Sequence, residues 1–121
     1  MLRNDFFKIN DLDLSGDELI ASISIKPDHS IFEGHFPGNP VTPGVVQMQM
    51  VKEILEVHFE KKLQLKSMGR CKFLHVLNPV DTSDILVKIN IRETEDDLGI
   101  SAAGMKNEIT FFKFNAVYQY Q

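Results

Sequence analysis

The chain has 121 residues, 43% of them hydrophobic and 25% charged, which suits one domain spanning 1–121 with its own core and leaves no room for a second. A net charge of −4 argues against general nucleic-acid binding, and a single cysteine, Cys71, excludes an intramolecular disulfide or a cysteine-cluster metal site. No apolar run approaches the roughly 20 residues of a membrane span, and Met-Leu-Arg-Asn-Asp-Phe-Phe-Lys lacks a signal-peptide core, so the default expectation is a cytoplasmic protein with no membrane partner.

A first strand is expected near residues 5–10. Residues 18–26 alternate Leu19, Ala21, Ile23 and Ile25 against Ile20, Ser22, Ser24 and Lys26, the pattern of a half-buried strand. Residues 34–46 then read Gly-His-Phe-Pro-Gly-Asn-Pro-Val-Thr-Pro-Gly-Val-Val. Three prolines and three glycines within eleven residues hold a polar loop in one shape, with His35 inside it.

The strongest helix signal runs from 44 to about 61. Its first N–H groups point back toward the loop and favour negative charge, so an imidazole and a helix N-terminus adjoin where a carbonyl could be polarised. At about 100° per residue, Gln49, Lys52, Glu53, Glu56 and Glu60 form one polar stripe, and apolar side chains fill most of the remainder. So wide an apolar arc implies wrapping by a sheet. Gln47 falls in the middle of that arc and is expected to face a partner group or an interface; Gln49 reads by periodicity alone as a solvent-facing residue.

Lys61, Lys62, Lys66, Arg70 and Lys72 follow without an acidic residue between them, whereas residues 81–97 hold six acids. The stretch reads either as a solvated helix end, with Lys61 and Lys62 set against the helix dipole, or as a basic docking surface. Further strands are expected near 66–77, at 85–92 from the alternation of Ile85, Val87, Ile89 and Ile91, and near 99–106 and 109–119. Turns are expected at Asp96-Asp97-Leu98-Gly99 and Lys106-Asn107-Glu108. One long helix among about six mostly antiparallel strands gives an α+β architecture.

His29, His58 and His75 have no motif around them and read as structural. Asp28, His29, Glu33 and His35 lack the regular spacing of a zinc site, so no metal is expected, and nothing calls for another cofactor. Cys71 and His75 would share a strand face but stand about 13 Å apart, too far for a nucleophile pair.

Gly34-His35-Phe36-Pro37-Gly38-Asn39-Pro40, with Pro43-Gly44-Val45 opening a helix, resembles the active-site signature of the 3-hydroxyacyl-acyl-carrier-protein dehydratases of fatty acid synthesis, members of the hotdog superfamily. The resemblance is dense over residues 27–54. Pro79-Val80 followed by Asp84 is similar to a later Pro-Val-x-Pro-Gly-Asp segment of that family, with Thr82-Ser83 in place of Pro-Gly. One departure matters more. The family carries a Glu or Asp fourteen residues after the histidine, where this chain has Gln49, and tends to carry Gln one helical turn later, where this chain has Glu53.

The resemblance implies a hotdog fold, a curved antiparallel sheet of about six strands around one central helix, and a dimer whose sites draw on both subunits. It implies that His35 takes the proton beside the thioester carbonyl, that the N–H of Gly44, with that of Val45, holds the enolate oxygen, and that Gln49 holds the departing hydroxyl. Phe32, Phe36, Val41 and Met48 would line an acyl channel or simply pack the core. Lys61, Lys62 and Arg70 would dock an acidic acyl carrier protein; coenzyme A is the alternative carrier. The expected assembly is a homodimer or a multiple of dimers, with a heterodimer with another hotdog chain as the alternative. Two other activities stay open: a non-catalytic or complementing acyl-binding subunit, and a thioesterase relying on Glu33 or Glu53.

Overall fold

A computed structural model describes residues 1–32 and 41–121. Strands β1 (Phe7–Ser15) and β2 (Glu18–Ile25) precede a 3-10 turn at Ser30–Phe32. Helix α1 (Gly44–Phe59) is followed by β3 (Leu63–Phe73), β4 (Asp84–Glu93), β5 (Leu98–Lys106) and β6 (Ile109–Tyr120). The strands form one antiparallel sheet in the order β1-β2-β4-β5-β6-β3, so β1 and β3 are its edges. This is the expected hotdog arrangement, with one long helix against the concave face of the sheet.

Alternation sorts the two faces. Leu19, Ala21, Ile23 and Ile25 of β2 and Ile85, Val87 and Ile89 of β4 face inward with Phe112, Phe114 and Tyr118 of β6, and all are at most 2% exposed. They enclose Met50, Val51, Ile54 and Leu55 of α1, each 0% exposed. At about 1.5–3 kcal/mol for each large apolar side chain removed from water, this layer is the main source of stability. Among the described residues no helix is long and apolar enough to cross a membrane.

The first strand runs five residues past its expected end. Phe7 and Ile9 pair with inward-facing Ile25 and Ile23, the register shifts between Ile9 and Asp11, and Leu12 and Leu14 then pair with Ala21 and Leu19. The bulge moves the apolar set from odd to even positions while keeping it on one face, and so breaks the period of two by which a strand is read from sequence.

Strand β3 begins at Leu63 rather than near 66 and stops at Phe73 rather than 77. Its register against β6 shifts twice, between Leu65 and Ser67 and between Met68 and Cys71. Helix α1 ends two residues before its expected end. Glu60 adopts φ 54° and ψ 39°, which ends the helix in a left-handed turn, and the N–H of Leu63 donates to the Glu56 carboxylate at 2.8 Å.

The expected polar stripe is interrupted. Glu53 is 0% exposed, because the N-terminal segment ahead of β1 covers it: the N–H groups of Leu2 and Arg3 donate to its two oxygens at 3.0 and 2.8 Å. Periodicity assigns Glu53 to solvent because the covering segment lies some 50 residues away in sequence.

Candidate active site

Helix α1 starts without a side-chain cap. Pro43, extended at φ −61° and ψ 149°, offers its carbonyl to the N–H groups of Val46 and Gln47, both at 3.1 Å. The N–H groups of Gly44 and Val45 have no acceptor among the described residues and belong to the positive end of the helix. Val45 is 73% exposed.

Gly44 is required by packing. A Cβ there would lie 2.5 Å from Cζ of Phe73, whose ring sits against the helix start. The backbone of this turn is tied from two further directions: the Thr42 N–H donates to the Leu77 carbonyl at 2.9 Å, and the Gln47 amide donates to the Thr42 carbonyl at 2.9 Å. Gln47 therefore faces its own chain, and its position in the apolar arc is the sequence signal of that clamp. It is 3% exposed, and its Oε1 and the Thr42 hydroxyl are buried without hydrogen-bond partners among the described residues. No sequence signal pointed to Phe73.

Gln49 is half-buried, and its Nε2 donates to Oε2 of Glu53 at 2.9 Å. Glu53 thus receives three donors, from Gln49, Leu2 and Arg3. Because its amide nitrogen is directed at Glu53, Gln49 has its carbonyl oxygen and remaining N–H for other partners. Glu53, enclosed and engaged on both oxygens, is poorly placed to activate a water molecule.

Phe32 is 6% exposed and packs on Phe6 at 5.5 Å between ring centroids, and Met48 packs at the margin of the same core. Core packing is therefore the observed role of Phe32, and Val41 is half-buried. His35, Phe36 and Glu33 lie outside the described residues. The chain entering that segment is anchored by His29, whose Nδ1 accepts from the Ile31 N–H at 3.0 Å while Nε2 meets the Asp5 carboxylate at 3.0 Å. An Nδ1 that accepts a hydrogen bond leaves the ring proton on Nε2, directed at Asp5. The Asp5 carboxyl is held below its ordinary range, chiefly by this hydrogen bond.

The three cations expected at a carrier dock do not form one patch within a protomer. Lys61 lies 4.5 Å over the Tyr120 ring, and Lys61 and Lys62 share a surface hollow with Glu56 and Glu60. Arg70 lies roughly 25 Å further along β3, beside Lys72, Lys88 and Lys113.

A family model described as ApeI-like, ApeI dehydratase, matches residues 11–111. A 3-hydroxyacyl-[acyl-carrier-protein] dehydratase FabZ from Latilactobacillus sakei is 30% identical over 95 residues, 73% of this chain and 66% of the relative. One of the same name from Oenococcus oeni is 25% identical over 97 residues, 74% and 68% of the two chains. The chain thus spans about two thirds of the length of these relatives. Among solved structures, the dehydratase heterocomplex ApeI:P from Xenorhabdus doucetiae superposes with a TM-score of 0.72 at 22% identity, covering 92% of this chain and 96% of that one. A Staphylococcus aureus thioesterase superposes with a TM-score of 0.68 at 6% identity, covering 95% and 93%. The fold alone therefore does not separate dehydration from hydrolysis.

Proposed function

Because the chain belongs to the ApeI-like dehydratase family, we propose that it removes water from 3-hydroxyacyl thioesters to give trans-2-enoyl thioesters, with acyl carrier protein or coenzyme A as the carrier. The observation that carries this reading is the pair of N–H groups at Gly44 and Val45, which have no acceptor among the described residues, in a turn held by Phe73 and by the Gln47–Thr42 hydrogen bond. Two donors at a helix start suit a thioester oxygen that gains negative charge when the adjacent carbon loses its proton.

In this mechanism the His35 imidazole takes the proton from the carbon beside the carbonyl. The electron pair forms the carbon–carbon double bond as the C–O bond to the hydroxyl breaks, and the imidazolium returns its proton to the hydroxyl, which leaves as water. Gln49, which has no acidic proton, positions the hydroxyl through its amide. Gln49 lies five residues beyond Gly44, about 140° around the helix axis and about 7.5 Å along it. In this proposal the helix start and Gln49 of one site come from two copies, or from one copy and a second hotdog chain.

Hydrolysis is the weaker reading, since Glu53 is enclosed by the N-terminal segment. The test is incubation of the purified protein with 3-hydroxyacyl and 2-enoyl thioesters while dehydration, hydration and free thiol are followed together. Water loss and its reversal without thiol release are expected. Thiol release alone would reassign the chain to thioester hydrolysis, and inertness to both substrates, alone and with a second hotdog chain, would leave it an acyl-binding subunit.

A further inference from the structure

The outward face of the sheet carries a second feature, independent of the acyl site. Strand registers place Ile20, Lys88, Ala103, Lys113 and Lys72 in one transverse row across β2, β4, β5, β6 and β3. Lys72 stands directly opposite Lys113, at a spacing of about 5 Å where like charges repel, and Lys88 lies about 10 Å away across Ala103. The bulge between Met68 and Cys71 brings Arg70 to the same hollow.

Folding gains nothing from this arrangement. Among the described residues the lysine or arginine ion pair is Lys66–Asp97, so none of these four cations is paired there. They surround a hollow of about 430 Å³ whose only acidic lining residue among those described is Glu18, at its β2 end. The next row along the strands runs from Glu18 through Asn90, Ser101 and Asn115, whose amide and hydroxyl groups line both this hollow and an adjoining one of about 660 Å³ that holds Arg92 and, at its margin, Asp17.

We infer that this face is a docking surface for a carboxylate-rich segment of a partner protein. Charge complementarity selects an anionic occupant. The spread of the cations over an open, continuous groove, with amide and hydroxyl groups between them, suits an extended chain bearing several carboxylates more than one compact phosphate. The small side chain of Ala103 leaves space between Lys88 and Lys113 for a backbone to cross. Such a surface steers encounter and is weakened by salt, because its charges are exposed.

The experiment is fluorescence anisotropy of a labelled, glutamate-rich peptide against the whole chain at low and physiological salt. Binding that weakens with salt is expected. It should fall at least about tenfold in Lys72→Glu and in the triple variant Lys72→Gln/Lys88→Gln/Lys113→Gln, and stay unchanged in Lys61→Glu/Lys62→Glu. Lys72→Glu forms an ion pair with Lys113, so its melting temperature should hold or rise, which separates lost binding from lost folding. Equal loss in the Lys61/Lys62 variant would move the surface to the helix end. Stabilisation of the chain against thermal unfolding by tripolyphosphate, with no peptide binding, would make it a phosphate site, and no peptide binding at low salt overturns the inference outright.

Discussion

Gln49 and Glu53 form a hydrogen-bonded pair one helical turn apart, and the chemistry of the site turns on which member carries the acid. Gln49→Glu alone would set two carboxylates about 3 Å apart, where one must hold a proton at the expense of stability. The exchanged pair Gln49→Glu/Glu53→Gln avoids this: a glutamine at 53 can accept from the Arg3 N–H through its oxygen and donate through its amide to a glutamate at 49, losing only the bond from Leu2. Thermal melts should rank the exchanged pair above the single variant. If protonation of the leaving hydroxyl limits the rate, dehydration by the exchanged pair should rise about tenfold or more; a fall would mean that His35 already serves both proton transfers. Gly44→Ala should cost about 1 kcal/mol by displacing the Phe73 ring, and Phe73→Leu in the same chain should recover part of it, as read by urea unfolding. Tyr118, 2% exposed, is pushed from 10.0 to about 12, first by burial and then by the Glu56 charge. The unfolded phenol ionises first, so its share of stability is intact below pH 10 and is lost as pH rises toward 12. Tyr118→Phe should flatten that alkaline decline in a pH series of melts.

The N-terminal segment and α1 are joined through one buried carboxylate. Charge-assisted bonds from Leu2 and Arg3 keep Glu53 satisfied where water cannot reach it, so cutting the segment away leaves a buried charge short of donors. Deletion of residues 1–3 should lower stability by about 2 kcal/mol or more in denaturant titrations, and Glu53→Gln in the deleted chain should restore part of the loss. No loss on deletion would mean that Glu53 finds other donors. Strand β3 poses the opposite problem. All of it except Leu63 and Met68 is exposed, and one side of its backbone is unpaired at the sheet edge. Long open edges are templates for pairing with another chain.

Near that edge the molecule also exposes Val45, Phe73, Leu74 and Val76, between 47% and 73%. The 42–45 and 73–77 segments that carry them are joined by the Thr42–Leu77 hydrogen bond, and the Phe73 ring rests on Gly44. Apolar side chains collected beside an open edge are expected to be covered by a second hotdog chain. Light scattering should therefore give at least twice the 13.8 kDa chain mass, with Val76→Asp shifting the protein toward monomer and lowering dehydration in parallel. A monomer that keeps full activity would remove both the pairing and the shared site. A monomer that becomes active only when a second hotdog chain is added would place it in a heterodimer.

The sequence by itself determined the presence of the elements and the faces that β2 and β4 present, because alternation and helical periodicity record burial directly and the proline-glycine loop marks where α1 begins. It also singled out Gln47, Gln49, Glu53 and Gly44 as residues out of place in their pattern or essential to a motif. Tertiary structure alone decided what those residues do. Glu53 is buried because residues 2 and 3 return over it, Gly44 is small because Phe73 of β3 lies on it, and β1 continues through a bulge whose pairing partner is β2. The outward lysines were visible as charges, but their row exists only across strand registers that bring residues 72, 88 and 113 together. Local periodicity reports which side of an element is wet; long-range contacts decide what touches it.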